Sequence, residues 1–271
     1  MRTVAVERIG FIGIGSQGGP MAERIAAAGY PLTVWARRAE ALEPFVARGA
    51  TAAASVAELG AQCDLVGVCV VDDAGVTEVC RELIPAMRPG SVIAIHSTIH
   101  PESAVTLAAQ CAARGVSLLD APVSGGGVGA AAGTLTVMCG GSRETFDAAR
   151  PVFQSFGKLI VLLGDVGAGQ RAKLVNNALM AANMGVAHAA LSAAAALGIE
   201  REALVELIKH SSGRSFGFEV YARLPSPAAF AVGAPLLVKD VSLLKTVLPD
   251  QEGAETLRAA ASSFLAAATG A

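Results

Sequence analysis

No two cysteines in this sequence stand at a CxxC spacing, and none forms a CxxH pair. Cys63, Cys69, Cys80, Cys111 and Cys139 are scattered, and Cys69 and Cys139 fall inside apolar runs. That pattern predicts reduced core thiols in a cytoplasmic protein. The four histidines, His96, His100, His188 and His210, do not cluster either, so no metal is expected, because a structural zinc needs grouped ligands. Blocks of one charge sign are missing: 21 basic and 23 acidic residues are interspersed, for a net charge of -2. No basic face is offered to nucleic acid or anionic lipid, and the expected partner is a small molecule. The first eight residues carry Arg2, Glu7 and Arg8 and lack the apolar core of a secretion signal.

Charge is also absent from Leu174 to Ile199, 26 residues without Asp, Glu, Lys or Arg. A span of about 20 apolar residues can cross a bilayer. This one is mostly alanine and holds Asn176, Asn177, Asn183, His188 and Ser192, so its transfer energy is too small and no membrane span is predicted. It reads as a buried helix, roughly 40 Å long at about 1.5 Å per residue. Such a helix needs cover on every side, which predicts a homo-oligomer, a dimer or a tetramer.

What is present is a change of rhythm along the chain. Short β-type runs recur at Ile9–Ile12, Leu32–Trp35, Leu65–Val70, Val92–Ile95, Ser117–Leu119, Leu135–Cys139 and Leu159–Leu163, with helical segments between them. That alternation predicts an α/β Rossmann domain, doubly wound and mostly parallel, over residues 1–163. From Gly164 the pattern turns helical, predicting an all-α C-terminal domain over 164–271 joined by the long helix. Its further helices are expected at Glu200–His210, Pro235–Val247 and Glu252–Ala268.

Four motifs carry chemistry. Gly13-Ile14-Gly15-Ser16-Gln17-Gly18 follows a strand and opens a helix. Its glycines suit a tight turn, backbone approach to a pyrophosphate and close helix-on-strand packing. About 20 residues on, where a carboxylate would hold an adenosine ribose, stand Arg37 and Arg38. Two guanidiniums there can fork onto a 2′-phosphate, which favours NADP while leaving NAD open; the alternative is a solvated helix start. Ser124, Gly125 and Gly126, within Asp120 to Gly127, form a backbone nest suited to a carboxylate, or else a plain turn.

Within Gly167 to Asn177, Lys173 and Asn177 stand four apart on one helix face. A lysine entering an uncharged helix suits proton transfer and an amide beside it can fix a substrate oxygen; alternatively the lysine snorkels. Lys239, beside Asp240, either reaches the cofactor or pairs with an acid. His96 either orients substrate or nicotinamide, or is a strand-end histidine bonded to backbone.

Together these residues resemble the β-hydroxyacid dehydrogenase family, whose members include 3-hydroxyisobutyrate dehydrogenase and small semialdehyde and glyoxylate reductases. The likeness runs from about Ile9 to Leu244 and keeps four motifs in family order: Gly13 to Ala22, Asp120 to Gly126 with a following Ala132 to Leu135, Gly167 to Asn177, and Lys239-Asp240. The resemblance implies a dinucleotide on Gly13 to Gly18 with a contact at Thr98. It further implies a small carboxylate substrate held by Ser124, Gly125 and Gly126, catalysis by Lys173 beside Asn177, and Lys239 near the cofactor. The chain departs from the pattern at Gln17, His96 and Val232, positions where methionine, an acid and phenylalanine are usual. The rival expectations are an imine reductase of the same plan, which usually lacks the lysine, and a dinucleotide-binding sensor without turnover.

Overall fold

The computed structural model describes residues 6–270, so Arg2 lies outside them. The chain divides into two compact units, Met1–Lys173 and Leu174–Ala271.

In the first unit, β1 (Ile9–Ile12), β2 (Leu32–Trp35), β3 (Thr51–Ala52), β4 (Leu65–Val68), β5 (Val92–Ile95) and β6 (Ser117–Asp120) form one parallel sheet in the order β3-β2-β1-β4-β5-β6. The strands β1, β4 and β5 are buried at every position, as a parallel sheet covered on both faces requires. Alternate residues feed two cores: Phe11 packs with Met21, Ile25, Phe153 and Phe156, while Ile12 packs with Leu59, Val68, Leu83 and Ile93. The strand order reverses between β1 and β4, the kind of switch point beyond whose carboxyl ends open α/β sheets bind their ligands.

The connecting helices start where the sequence supplies caps. Helix α1 spans Gly18–Ala27 and α2 Glu43–Val46. Ser55 caps α3 (Val56–Gln62), Asp72 caps α4 (Asp73–Ala86), and α5 (Pro101–Ala112) opens on a proline, whose missing N–H costs nothing there. At the amino ends of the strands, the buried Asp64 carboxylate accepts from Arg8 and Arg88 at 3.0 and 2.6 Å. Burial pushes the Asp64 carboxyl upward, yet its bonds from Arg8 and the Glu7 amide hold it below the ordinary range.

The later strands do not extend the first sheet, contrary to the single alternating pattern expected from sequence. Instead β7 (Val123–Ser124), β8 (Leu135–Cys139) and β9 (Gly157–Leu162) form a second sheet of three, tied to the first by a bridge between Asp120 and Gly140. Helices α6 (Gly126–Ala132) and α7 (Arg143–Phe153) link these strands.

Helix α8 (Ala168–Ala196) is 29 residues long and runs across the boundary between the units. In the second unit its Leu174, Ala178, Ala181 and Met184 pack with residues of α10 (Phe216–Ala222), α11 (Ala234–Val247) and α12 (Glu252–Thr269). A Cβ on Gly185 would lie 1.9 Å from the Ala260 carbonyl, so only glycine permits that crossing. Helix α9 (Arg201–Lys209) completes the unit, and α10 is an element the sequence pattern did not suggest. By length and composition α8 is apolar enough to cross a membrane, but its inner face is filled by this packing. The expectation of cover on every side is not met within the chain, since Val175, Leu179 and Val186 are about half exposed.

Candidate active site

Apart from Lys173, which lies on α8, the predicted residues of the first unit follow the carboxyl ends of strands. Gly13 to Gly18 succeed β1, Arg37 and Arg38 succeed β2, Thr98 succeeds β5, and Ser124 to Gly126 succeed β6. In the first loop Gly13 adopts φ +92°, and a Cβ there would stand 2.1 Å from the Cys69 carbonyl. A Cβ on Gly18 would stand 2.0 Å from the Gly13 carbonyl, so the helix start is pressed onto the turn. Gly15 differs, for no atom lies within 4 Å of where its Cβ would be. Two glycines are thus fixed by packing, and the third bares its backbone beside the amino end of α1, whose first turn holds no acid. That is the cradle a pyrophosphate needs. Ile14 and Gln17 are half-buried and Ser16 is exposed.

Arg37 and Arg38 are exposed at the end of β2, and Arg38 precedes the short 3-10 turn Ala39–Leu42. Neither forms an ion pair among the described residues.

The second glycine motif lies against the first. Gly125 and Gly126 have φ values of +129° and +62°, and no atom lies near where a Gly126 Cβ would be. A Cβ on Gly127 would stand 2.5 Å from the Ser16 carbonyl, so the turn at Ser124–Gly126 and the loop at Gly13–Gly18 are in contact. Ser124 itself is half-buried and paired with Thr136 in the second sheet.

His96 is 2% exposed, and its Nδ1 lies 2.8 Å from the Ala121 carbonyl. Phe11 stacks on its ring, and Phe153 and Phe156 meet it edge-on. Burial pushes it down to about 4, so it is neutral at pH 7 and Nδ1 carries the donated proton. Of its two readings, the backbone-bonded one is the geometry found. His188, similarly, is held by the Tyr221 hydroxyl at 2.7 Å.

The start of α8 is fastened to the first unit by two buried side chains that sequence reasoning gave no role. Asp120 accepts from the Gly167 and Gln170 amides at 2.6 and 2.7 Å, so it caps the helix from the end of β6. Burial holds its carboxyl above the ordinary carboxylate range, and those two amides offset that only in part. Gln170 donates from Nε2 to the Ser97 carbonyl at 2.9 Å and accepts at Oε1 from the Ile99 amide at 3.0 Å. Ser97 in turn accepts from the Val70 amide through Oγ at 2.8 Å. A Cβ on Gly169 would lie 2.2 Å from the Met138 carbonyl, which explains the second glycine of that motif. Lys173, one turn further, is 9% exposed.

Asn177 is half-buried on α8, four residues beyond Lys173. Its Nδ2 donates to Asp240 at 2.6 Å and its Oδ1 accepts from Asn176 at 3.1 Å. Asp240, 3% exposed, also stands 3.2 Å from the Lys239 ammonium. Asp240, with the Lys239 ammonium beside it, therefore holds the Asn177 amide, a contact legible only once α11 is placed beside α8. Among the described residues no group of three or more His, Cys, Asp or Glu side chains could hold a metal ion.

Residues 8–164 match the family model described as the NAD binding domain of 6-phosphogluconate dehydrogenase, and residues 167–271 match that described as the NAD-binding domain of NADP-dependent 3-hydroxyisobutyrate dehydrogenase. The chain is 41% identical over 213 residues to an uncharacterized oxidoreductase of Mycobacterium tuberculosis, covering 78% of this chain and 72% of that protein. It is 38% identical over 258 residues to the NAD-dependent L-serine dehydrogenase of Pseudomonas aeruginosa, covering 88% and 84%. Among solved structures, the 3-hydroxyisobutyrate dehydrogenase of Mycobacterium tuberculosis with L-serine superposes with a TM-score of 0.85 at 28% identity, covering 97% of this chain and 93% of that one.

Proposed function

Since the chain belongs to the β-hydroxyacid dehydrogenase family, we propose that it interconverts a small β-hydroxy acid and its semialdehyde acid, with NADP favoured over NAD and Lys173 as general acid and base. The family activity is NAD(P)-dependent, and the cradle formed by Gly13, Gly15 and Gly18 fits such a dinucleotide. A nicotinamide bound there supplies the hydride acceptor or donor.

The chain's own contribution is a proton and its alignment. Lys173 Nζ takes the hydroxyl proton in oxidation and returns one to the carbonyl oxygen in reduction. The carrying observation is the near-complete burial of Lys173 one turn beyond a helix start that Asp120 and Gln170 fasten to the strand ends. Asn177, its amide fixed by Asp240 and Asn176, offers its second N–H to the reacting oxygen. The Ser124 hydroxyl and the amides of Gly125 and Gly126 receive the substrate carboxylate. Exposed Arg37 and Arg38 at the end of β2 support a 2′-phosphate, and Thr98 and Lys239 complete the cofactor contacts. The helical unit from about residue 164 serves substrate binding and assembly, and its bare α8 face supports a homo-oligomer. Five free thiols suit the reducing cytoplasm.

The test is turnover of L-serine, 3-hydroxyisobutyrate, glyoxylate, succinic semialdehyde and a cyclic imine, followed by nicotinamide absorbance. Lys173→Ala is expected to lower kcat on the preferred substrate about 10²- to 10⁴-fold. Undiminished turnover in that variant removes Lys173 from the mechanism, and turnover of the imine alone replaces the proposed substrate class. The cofactor preference is tested separately: the parent should favour NADPH, and Arg37→Ala should raise the KM for NADPH while leaving NADH nearly unchanged. A parent that favours NADH overturns it.

A further inference from the structure

We propose that Gln170 is a positioning residue for hydride transfer: its buried carboxamide clasps the Ser97–Ile99 backbone and locks the Thr98 segment to the helical turn bearing Lys173. The inference rests on the proposed roles of Thr98 and Lys173.

Gln170 has 0% exposure, and both ends of its amide are engaged. Nε2 donates to the Ser97 carbonyl at 2.9 Å and Oε1 accepts from the Ile99 amide at 3.0 Å. These two bonds bracket Thr98, the residue between them, as a strand partner would bracket it. The Gln170 backbone amide donates to Asp120 at 2.7 Å, so the clasp and the cap of α8 share one residue. Gln170 and Lys173 are three apart on one helix and therefore neighbours on its surface.

An apolar side chain would fill the same interior space but would leave the Ser97 carbonyl and the Ile99 amide without these partners. A buried carboxamide is tolerated only with its donor and acceptor both satisfied, and the satisfied pair is directional where a methyl contact is not. What the glutamine adds over leucine or methionine is thus a fixed distance between two backbone segments. One segment is assigned to the cofactor, and the other carries the proton-transfer amine. Hydride and proton must leave one substrate carbon–oxygen unit in a single alignment, and a misplacement of about 1 Å can cost about 10²-fold in rate.

The experiment uses the full chain carrying Gln170→Met, which removes both polar bonds at similar length, and Gln170→Glu, which keeps the acceptor for Ile99 but, when ionised, sets a carboxylate oxygen against the Ser97 carbonyl in place of the donor. Amide hydrogen exchange at Ile99 is read with and without NADP. Steady-state kinetics use 3-hydroxyisobutyrate and L-serine, each with hydrogen or deuterium on the carbinol carbon. Ile99 exchange should quicken at least about tenfold in Gln170→Met. In both variants kcat should fall about 10- to 100-fold with KM for the hydroxy acid changed less than about threefold, and the deuterium isotope effect on kcat should rise.

A merely structural glutamine would lower the melting temperature and leave kcat and the isotope effect at parental values below that temperature. That result, in either folded variant, overturns the proposal, as does unaltered Ile99 exchange in Gln170→Met. Should Gln170→Met fail to fold, the Gln170→Glu kinetics decide alone. Lys173→Ala is assayed alongside: parental turnover there defeats the underlying reading, whereas an inactive Lys173→Ala beside fully active Gln170 variants defeats only the role of Gln170.

Discussion

His96 stands between the Ser97–Thr98 loop and Ala121, which follows β6. Its Nδ1 proton goes to the Ala121 carbonyl, its ring is stacked on Phe11, and the next residues are Ser97 and Thr98. Burial lowers it to about 4 from an ordinary 6.5, so between those values the folded chain binds fewer protons than the unfolded chain. Its contribution to stability is complete above pH 6.5 and is lost as pH falls toward 4. The linkage amounts to about 2 kcal/mol between pH 7.5 and pH 5. Urea unfolding at those two pH values should show that drop in the parent and not in His96→Asn, whose amide nitrogen can still donate to Ala121. An equal drop in the variant would assign the acid sensitivity to other groups. Nothing in the sequence decided between the two readings of His96, because the choice depends on Ala121 and three phenylalanines from separate elements. Lys173 and Asn177 were legible for the opposite reason: their spacing alone puts them on one helix face.

At the level of elements, the first turn of α8 shows what a motif conceals. The glycines at 167 and 169 were visible as a pattern, but their cause is contact with other parts of the chain. Gly167 adopts φ +93°, and Gly169 leaves no space between helix and the Met138 carbonyl. Asp120 likewise stands in a sequence motif without a legible function, since its partners lie 47 and 50 residues away. Asp120→Ala leaves two buried N–H groups without acceptors and should lower unfolding stability by about 2 to 4 kcal/mol, measured by denaturant midpoint. A midpoint within experimental error of the parent would mean that α8 does not depend on this cap. Elements with a continuous apolar run, such as β1 and β5, or with helical boundaries marked by proline or acid, such as α11 and α12, were legible almost to the residue. The two-residue strands β3 and β7 were not, because two residues have no period. Helix α10 was missed for a related reason: seven residues carry too little pattern to separate it from the loops around it.

Across the whole molecule, the order of an α/β unit followed by a helical one was readable from the change of rhythm near Gly164. The split of the strands into two sheets was not, since β8 and β9 have the same apolar character as the central strands and differ only in what they pair with. The outward face of α8 poses the remaining question at this scale. Val186 is 58% exposed on a helix with no charge along that stretch, beside half-exposed Val175 and Leu179. If a second copy covers this face, Val186→Glu should shift the protein toward monomer in sedimentation while leaving its circular dichroism unchanged. A parent chain that sediments as a monomer at micromolar concentration rejects that assembly.

The Asp64 clamp lies at the opposite ends of the strands from the glycine loops. Arg8 precedes β1, Asp64 precedes β4 and Arg88 precedes β5, so one carboxylate staples the feet of three strands whose tips carry the loops of the proposed site. The sheet thus has an anchoring end and a working end, separated by the length of its strands. Engineering for durability can proceed at the first without trespassing on the second.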